Sequence, residues 1–205
     1  MKTIAVDVDD VLCECGGAFI EYHNREYGTS MTKSALQYDG DYWWYWNKAL
    51  EAEIGLNKEE SERRYLEFLH SDYHVNRQKV IVDSRKALSE LKKHYKLVVI
   101  TARHFSIADK TREWILSEFN DIFNEIYFIS TPDKKFTKAD VCNMIGAEYL
   151  IDDAFDHCEI AAKQNITALL FGGYGWNSYQ KLDENIVRIK NWEEILTFFE
   201  NTMDK

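Results

Sequence analysis

The chain has 205 residues, 45% of them apolar, and a formal net charge of −10 from 25 lysines and arginines against 35 aspartates and glutamates. That length fits one domain, or one domain with a modest insertion, and supplies an ordinary core. The acidic balance argues against a nucleic acid polymer, duplex above all, as partner, because that affinity rests on cationic side chains. No run approaches the ~20 apolar residues that span a membrane.

Residues 4–8, Ile-Ala-Val-Asp-Val, read as a short buried strand, β-branched and too short for a helix. The strand runs into Asp7, Asp9 and Asp10, three acids in four residues that repel one another unless a cation offsets them. With a period of two, Asp7 and Asp9 share a face while the chain stays extended. The rhythm then changes. Residues 16–27 and 58–69 read as helices, and between them lies Tyr38-Asp39-Gly40-Asp41-Tyr42-Trp43-Trp44-Tyr45-Trp46, dense in aromatics.

From residue 80 onward strand and helix alternate. A helix is expected over 84–94, with Ala87, Leu88 and Leu91 on one face, and a strand over 96–101 ending in Thr101-Ala102-Arg103. A helix follows over 108–119 and a strand over 125–129. A short helix over 138–145 is stopped by Gly146, with Thr137 as its cap and Asp140 three residues on. The strand at 148–152 ends in Asp152-Asp153. A helix over 155–163, a strand over 166–171 closed by Gly172-Gly173 and a helix over 192–201 complete the chain. Repeated alternation predicts an α/β fold, a three-layer Rossmann-like parallel sheet with helices on both faces. Ligands of such sheets bind outside the carboxyl ends of the strands. Three strands here end in polar groups.

The four cysteines, Cys13, Cys15, Cys142 and Cys158, fit neither a disulfide framework nor a familiar zinc spacing, and read as reduced thiols. The first strand starts at residue 3 or 4, leaving no room for a leader, so a cytoplasmic protein is expected.

Asp7-Val8-Asp9-Asp10-Val11, Val98-Val99-Ile100-Thr101 and Tyr149-Leu150-Ile151-Asp152-Asp153 stand in the order and at the strand ends of three motifs of the haloacid dehalogenase superfamily of phosphotransferases, which this chain resembles from residue 7 to 153. The resemblance implies a Rossmann-like core at 1–12 and 80–205, with a small helical cap inserted after the first strand at 13–79. It implies that Asp7 is the nucleophile forming an aspartyl-phosphate and that Asp9 is the general acid and base. Thr101 would offer its hydroxyl and nearby amides to the phosphoryl oxygens. It also implies a lysine neutralising the phosphoryl group, for which Lys134, Lys135 and Lys138 are candidates. Lys138 is favoured, since a lysine in a first helical turn sits against the helix dipole and suggests an anion nearby. The implied cofactor is Mg²⁺, held among Asp7, Asp9 (through its backbone carbonyl), Asp152 and Asp153, with Asp153 the more direct of the last pair. Arg103 offers a bidentate grip on phosphate or is a surface cation.

An aromatic-rich cap in this position, together with Phe171-Gly172-Gly173-Tyr174-Gly175-Trp176-Asn177, is similar to the 5'(3')-deoxyribonucleotidase branch. The expected substrate is then a nucleoside monophosphate, bound by Thr101, Ala102 and Arg103 at its phosphate and by Phe19, Trp43 and Trp44 at its base. The aromatics equally suit the cap's own core. Another phosphomonoester (a sugar phosphate or phosphoglycolate) and a non-catalytic binding module on the same fold are the alternatives. A monomer or homodimer is expected.

Overall fold

The apolar run after Lys2 forms strand β1 (Thr3–Val6), buried along its whole length at the middle of the sheet. The computed structural model describes residues 1–38, 45–130, 136–178 and 181–203. After β1 come α1 (Cys15–Tyr27), a 3-10 turn at Lys33–Gln37, α2 (Tyr45–Ile54), α3 (Lys58–His70) and α4 (Asp72–Asn76). The alternating part is α5 (Ser84–Leu91), β2 (Lys96–His104), α6 (Ala108–Glu118), β3 (Glu125–Ser130), α7 (Lys138–Ile145), β4 (Ala147–Asp152), α8 (Phe155–Ala162), β5 (Thr167–Phe171), β6 (Ile186–Ile189) and α9 (Trp192–Met203). The six strands run parallel in the order β3-β2-β1-β4-β5-β6.

Strand alternation sorts the core into two layers. Ile4, Val6, Leu97, Val99 and Ile151 face α5, α6 and α9, whose Leu88, Ile115, Trp192 and Phe199 cover them. Ala5, Val98, Ile100, Leu150 and Leu170 face the other way, onto Ala139 and Cys142 of α7 and Cys158 and Ala161 of α8. This is the expected three-layer arrangement. No described helix is long and apolar enough to cross a membrane.

A third buried cluster lies outside the sheet. Phe19 of α1, Ala49 and Leu50 of α2 and Phe68 of α3 pack together with Met31, Ala35 and Leu36. The helical segment after β1 therefore builds a separate buried cluster, which Trp176 from the loop after β5 completes. Two of its helices, α2 and α4, go beyond the sequence expectation, as does β6, a four-residue strand of which only Ile186 and Ile189 are buried.

His23 is buried in this cluster and its hydrogen bonds fix its charge. Arg64 reaches Nε2 at 3.1 Å, and a guanidinium only donates, so Nε2 must accept. Nδ1 then donates to Thr29 Oγ1 at 2.8 Å, whose hydroxyl donates to Asn24 Oδ1 at 2.8 Å. Burial and the facing Arg64 push the imidazole down to about 4, with Glu60 opposing them, while the Phe19 and Tyr27 rings flank it. A histidine kept neutral when folded contributes nothing above its unfolded value near 6.5. It costs stability as pH falls from there toward 4, because the unfolded chain then binds the proton and the folded chain does not. The expected loss is up to about 3 kcal/mol. Thermal melts of His23→Gln and wild type at pH 7 and pH 5 check it: the variant should lose less on acidification, and equal losses would refute the assignment.

Candidate active site

Register brings the carboxylates together. Val6 pairs with Val99 on one side and Ile151 on the other, and the Asp7 amide donates to the Ile151 carbonyl at 2.9 Å. Asp7 and Asp152 therefore emerge side by side at the carboxyl edge of β1 and β4, and Thr101 lies two residues past Val99 in β2, which runs on. Lys138, first residue of α7, is 1% exposed and reaches across to them. Its Nζ lies 2.7 Å from Asp7 Oδ1 and 2.6 Å from Asp152 Oδ2. The helix start that points it there is a complete capping box: Thr137 Oγ1 accepts from the Asp140 amide at 3.0 Å, and Asp140 Oδ2 accepts from the Thr137 amide at 2.8 Å. Burial would strip the proton from Lys138, but Asp152 and Asp7 more than reverse this and hold it charged.

One lysine does not balance the site. Asp7, Asp152 and Asp153 present carboxylate oxygens within 4.8 Å of one another, all buried. Burial pushes the Asp7 carboxyl up to about 6 against the pull of Lys138, with Asp152 and Asp9 adding repulsion. Asp152 is raised by burial too, and Asp153 well above the usual range by burial and by Asp152. Both Asp152 oxygens are engaged, Oδ2 by Lys138 and Oδ1 by the Ala154 amide at 3.0 Å. Asp153 Oδ1, in contrast, is buried with no partner among the described residues. Clustered carboxylates that one lysine does not neutralise, with an unpartnered buried oxygen, suit a hard divalent ion such as Mg²⁺, so the residues fit that ion. Asp7 and Asp153 would hold it, and Asp152 would orient Lys138.

The other Asp153 oxygen is fixed from a distance. Trp176 Nε1 donates to Oδ2 at 2.8 Å, and Asn177 Nδ2 bonds the carbonyls of Asp153 and Phe171 at 2.8 Å each. Trp176 stacks on Tyr174 with ring centroids 4.5 Å apart and meets Tyr45 of α2 at 4.6 Å. The same loop grips the helical segment: the Gly175 amide donates to the Leu36 carbonyl at 2.8 Å, and Tyr174 Oη donates to the Asp10 carbonyl at 3.0 Å. A Cβ at 175 would overlap the Tyr38 carbonyl, so only glycine allows the approach. Trp176→Phe keeps the ring and drops the N–H donor. It should raise the Mg²⁺ concentration for half-activation about 10–100-fold with little change in saturated turnover. An unchanged Mg²⁺ dependence would refute the orienting contact.

Asp9 belongs to a different group of side chains. Arg103, buried, grips it bidentately, Nε to Oδ2 at 2.9 Å and Nη2 to Oδ1 at 2.6 Å, and also bonds Gln78 and Thr111. Burial would raise the Asp9 carboxyl, but Arg103, its hydrogen bonds and His74 outweigh this and hold it well below the usual carboxylate range. His74 Nε2 is 3.8 Å from Asp9 Oδ1, and Cys13 Sγ lies 3.7 Å from the same oxygen. Asp10 is the third acid. It has a left-handed backbone (φ 55°), and both its oxygens accept from the Gly16 amide at 3.0 and 3.1 Å, capping α1 where Glu14 does not. Burial pushes its carboxyl up to about 8.

The structure thus brings Asp7, Lys138, Asp152 and Asp153 together, with Asp9 adjacent but turned to Arg103. Thr101 is fully buried and its Oγ1 accepts from the Arg103 amide at 3.1 Å. β2 continues to His104, so Thr101, Ala102 and Arg103 lie within the strand, where its register shifts. Of the phosphate-binding candidates, Ala102 is half-buried and the Arg103 guanidinium is spent on Asp9. Phe19 is fully covered by Trp46, Tyr65 and Phe68, a packing position inside the helical cluster. Trp43, Trp44, Lys134 and Lys135 lie outside the described residues. Sequence reasoning missed Trp176, Asn177, Gln78 and His74 as partners of the acids, and left Asp10 without a task. The glycine-flanked Tyr174-Gly175-Trp176-Asn177 was the one local signal for any of them.

A protein of Bacillus subtilis (strain 168) described as "Putative nucleotidase YqfW" is 24% identical over 98% of this chain and 95% of its own. A "Putative 5'(3')-deoxyribonucleotidase" of Staphylococcus aureus (strain Mu50) is 25% identical over 100% of this chain and 98% of its own. Among solved structures, the haloacid dehalogenase-like family protein SP0104 from Streptococcus pneumoniae superposes with a TM-score of 0.63 at 18% identity, over 97% of this chain and 98% of that one. The family described as "5' nucleotidase, deoxy (Pyrimidine), cytosolic type C protein" matches residues 1–201. The chain belongs to that family, and is a phosphoric monoester hydrolase of the haloacid dehalogenase type.

Proposed function

We propose that the protein hydrolyses a nucleoside monophosphate through a phosphorylated Asp7, with Mg²⁺ held by Asp7, Asp153 and the backbone carbonyl of Asp9. The observation that carries the reading is Lys138 bridging Asp7 and Asp152 beside the unpartnered Asp153 Oδ1. In the first step an Asp7 oxygen attacks phosphorus, and the bond to the nucleoside oxygen breaks as that oxygen takes a proton from Asp9. In the second, Asp9 takes a proton from water, the water oxygen attacks phosphorus, and phosphate leaves Asp7 as a free carboxylate. Lys138 and the Thr101 hydroxyl stabilise charge on the phosphoryl oxygens. The ion, when bound, neutralises phosphoryl charge and fixes the phosphate against Asp7. Asp9 is held ionised by Arg103, which suits the second step; serving as acid in the first requires it to leave the guanidinium.

Residues 13–79 act as the cap over this edge, and residues 1–12 and 80–205 as the catalytic core. Phe19, Tyr45, Trp46, Tyr65 and Phe68 are packed on one another. That observation favours a second reading, a smaller phosphomonoester such as a sugar phosphate or phosphoglycolate, which needs no stacking face.

The test is Mg²⁺-dependent phosphate release from nucleoside monophosphates, sugar phosphates, phosphoglycolate and an aryl phosphate, with Asp7→Asn as blank. Selective release from nucleotides supports the first reading. Release from sugar phosphates or phosphoglycolate alone replaces it with the second.

A further inference from the structure

Two thiols and an imidazole that the proposed hydrolysis does not use surround Asp9. The ligand atoms of Asp9, Cys15 and His74 all lie within 4.8 Å of one another. Cys13 Sγ faces the same Asp9 oxygen at 3.7 Å and donates to Gln78 Oε1 at 2.9 Å. His74 is 2% exposed, and its Nε2 points at Asp9 Oδ1 from 3.8 Å. The cysteines are all free and buried. The Asp9 side chain is 20% exposed, the most accessible of the three.

We propose that Asp9, Cys15 and His74, with Cys13 beside them, form a second cation site, selective for a thiophilic divalent ion such as Zn²⁺ or Cd²⁺, whose occupation disables Asp9. Thiolate and imidazole select such ions, whereas Mg²⁺ takes oxygen ligands, so this site and the Asp7–Asp152–Asp153 site discriminate by ligand type. Tetrahedral zinc bonded at 2.0–2.3 Å separates its ligands by about 3.3–3.8 Å. The His74–Asp9 pair is already at 3.8 Å, and Cys15 closes the set by drawing in about 1 Å. Binding releases the Cys15 thiol proton to solvent, and the thiolate offsets part of the ion's charge while Asp9 is shared with the Arg103 guanidinium. The ligand spacing is invisible in sequence because His74 comes from α4, far along the chain from the Cys13-x-Cys15 pair. Binding is independent of the hydrolase reading; inhibition through Asp9 rests on it.

Cadmium titrated into the metal-free full chain, with thiolate-to-metal ultraviolet absorbance as readout, tests the binding. The titration is repeated in saturating Mg²⁺. Zn²⁺ inhibition of Mg²⁺-dependent phosphate release from an aryl phosphate is measured alongside. The expected result is an absorbance band that persists in Mg²⁺, weakened at least about tenfold in Cd²⁺ affinity by Cys15→Ser and by His74→Gln. Zn²⁺ inhibition should resist excess Mg²⁺ and weaken in Cys15→Ser. No band, a band unchanged in both variants (which would place the ion on Cys142 or Cys158), or an ion displaced by Mg²⁺ overturns the proposal. If the chain releases phosphate from nothing, the hydrolase reading fails and the cadmium titration still decides this one.

Discussion

Asp7→Asn should cut phosphate release by about 10⁴-fold or more, the scale of loss when a nucleophile acting in concert with its partners is removed. The same substitution should leave the melting temperature at or above that of the wild type. Both expectations follow from one environment. The carboxyl sits among Asp9 and Asp152 with burial lifting it to about 6, so a neutral amide of the same shape relieves repulsion. Lys138 keeps Asp152 at 2.6 Å and stays paired. A folded, stable and inactive Asp7→Asn separates chemistry from structure. Turnover within tenfold of wild type in that variant would remove Asp7 from its assigned task.

Lys138→Met should do the reverse and unfold the protein easily. It leaves two buried carboxylates facing each other with no protein cation between them. Removing one partner of a buried charge pair costs about 3–5 kcal/mol. For a chain of this length that corresponds to a fall in melting temperature of roughly 6–20 °C. Adding Asp152→Asn to Lys138→Met should restore part of the loss, because the uncompensated charge is then gone. A double variant no more stable than the single one would show that packing of the lysine stem, and not its charge, holds α7 to β4. Activity should vanish in both, so stability is the informative readout here.

The parts of the site that were legible in sequence are those in which one local rule carries the information. β1 and β4 are short apolar runs that give way to aspartates, and parallel register alone makes Asp7 and Asp152 neighbours, while the apolar run of β2 is legible but its continuation past Thr101 to His104 is not. Lys138 was legible because a capping box fixed the start of α7 and a lysine there opposes the helix dipole; its anions turned out to be Asp7 and Asp152. The α/β alternation gave the layers for the same reason.

What stayed hidden depends on contacts between distant segments. Arg103 is equally a phosphate clamp or a surface cation in sequence, and its commitment to Asp9, 94 positions away, exists only in the fold. Trp176 reads as an aromatic in a glycine-rich loop until it is seen bonding Asp153. β6 was missed because Ile-Val-Arg-Ile is short and half-buried, and α2 because the aromatic run preceding it obscured the helical period. Phe19 shows the converse error. An aromatic just after the first motif suggested a substrate face, but a helical layer this small needs large rings for its own core.

The central place of β1 has a consequence for biosynthesis. β1 is made before every other strand of the sheet, yet one of its two neighbours is β4, and the Thr3 amide meets the Glu148 carboxylate at 2.8 Å across 145 positions of sequence. A nascent chain therefore leaves β1 without this neighbour until β4 has been made, the situation in which long-range parallel pairing is slow and prone to aggregation. The helices that follow β1 can gather most of their buried cluster during that wait, but its last ring, Trp176, arrives only after β4.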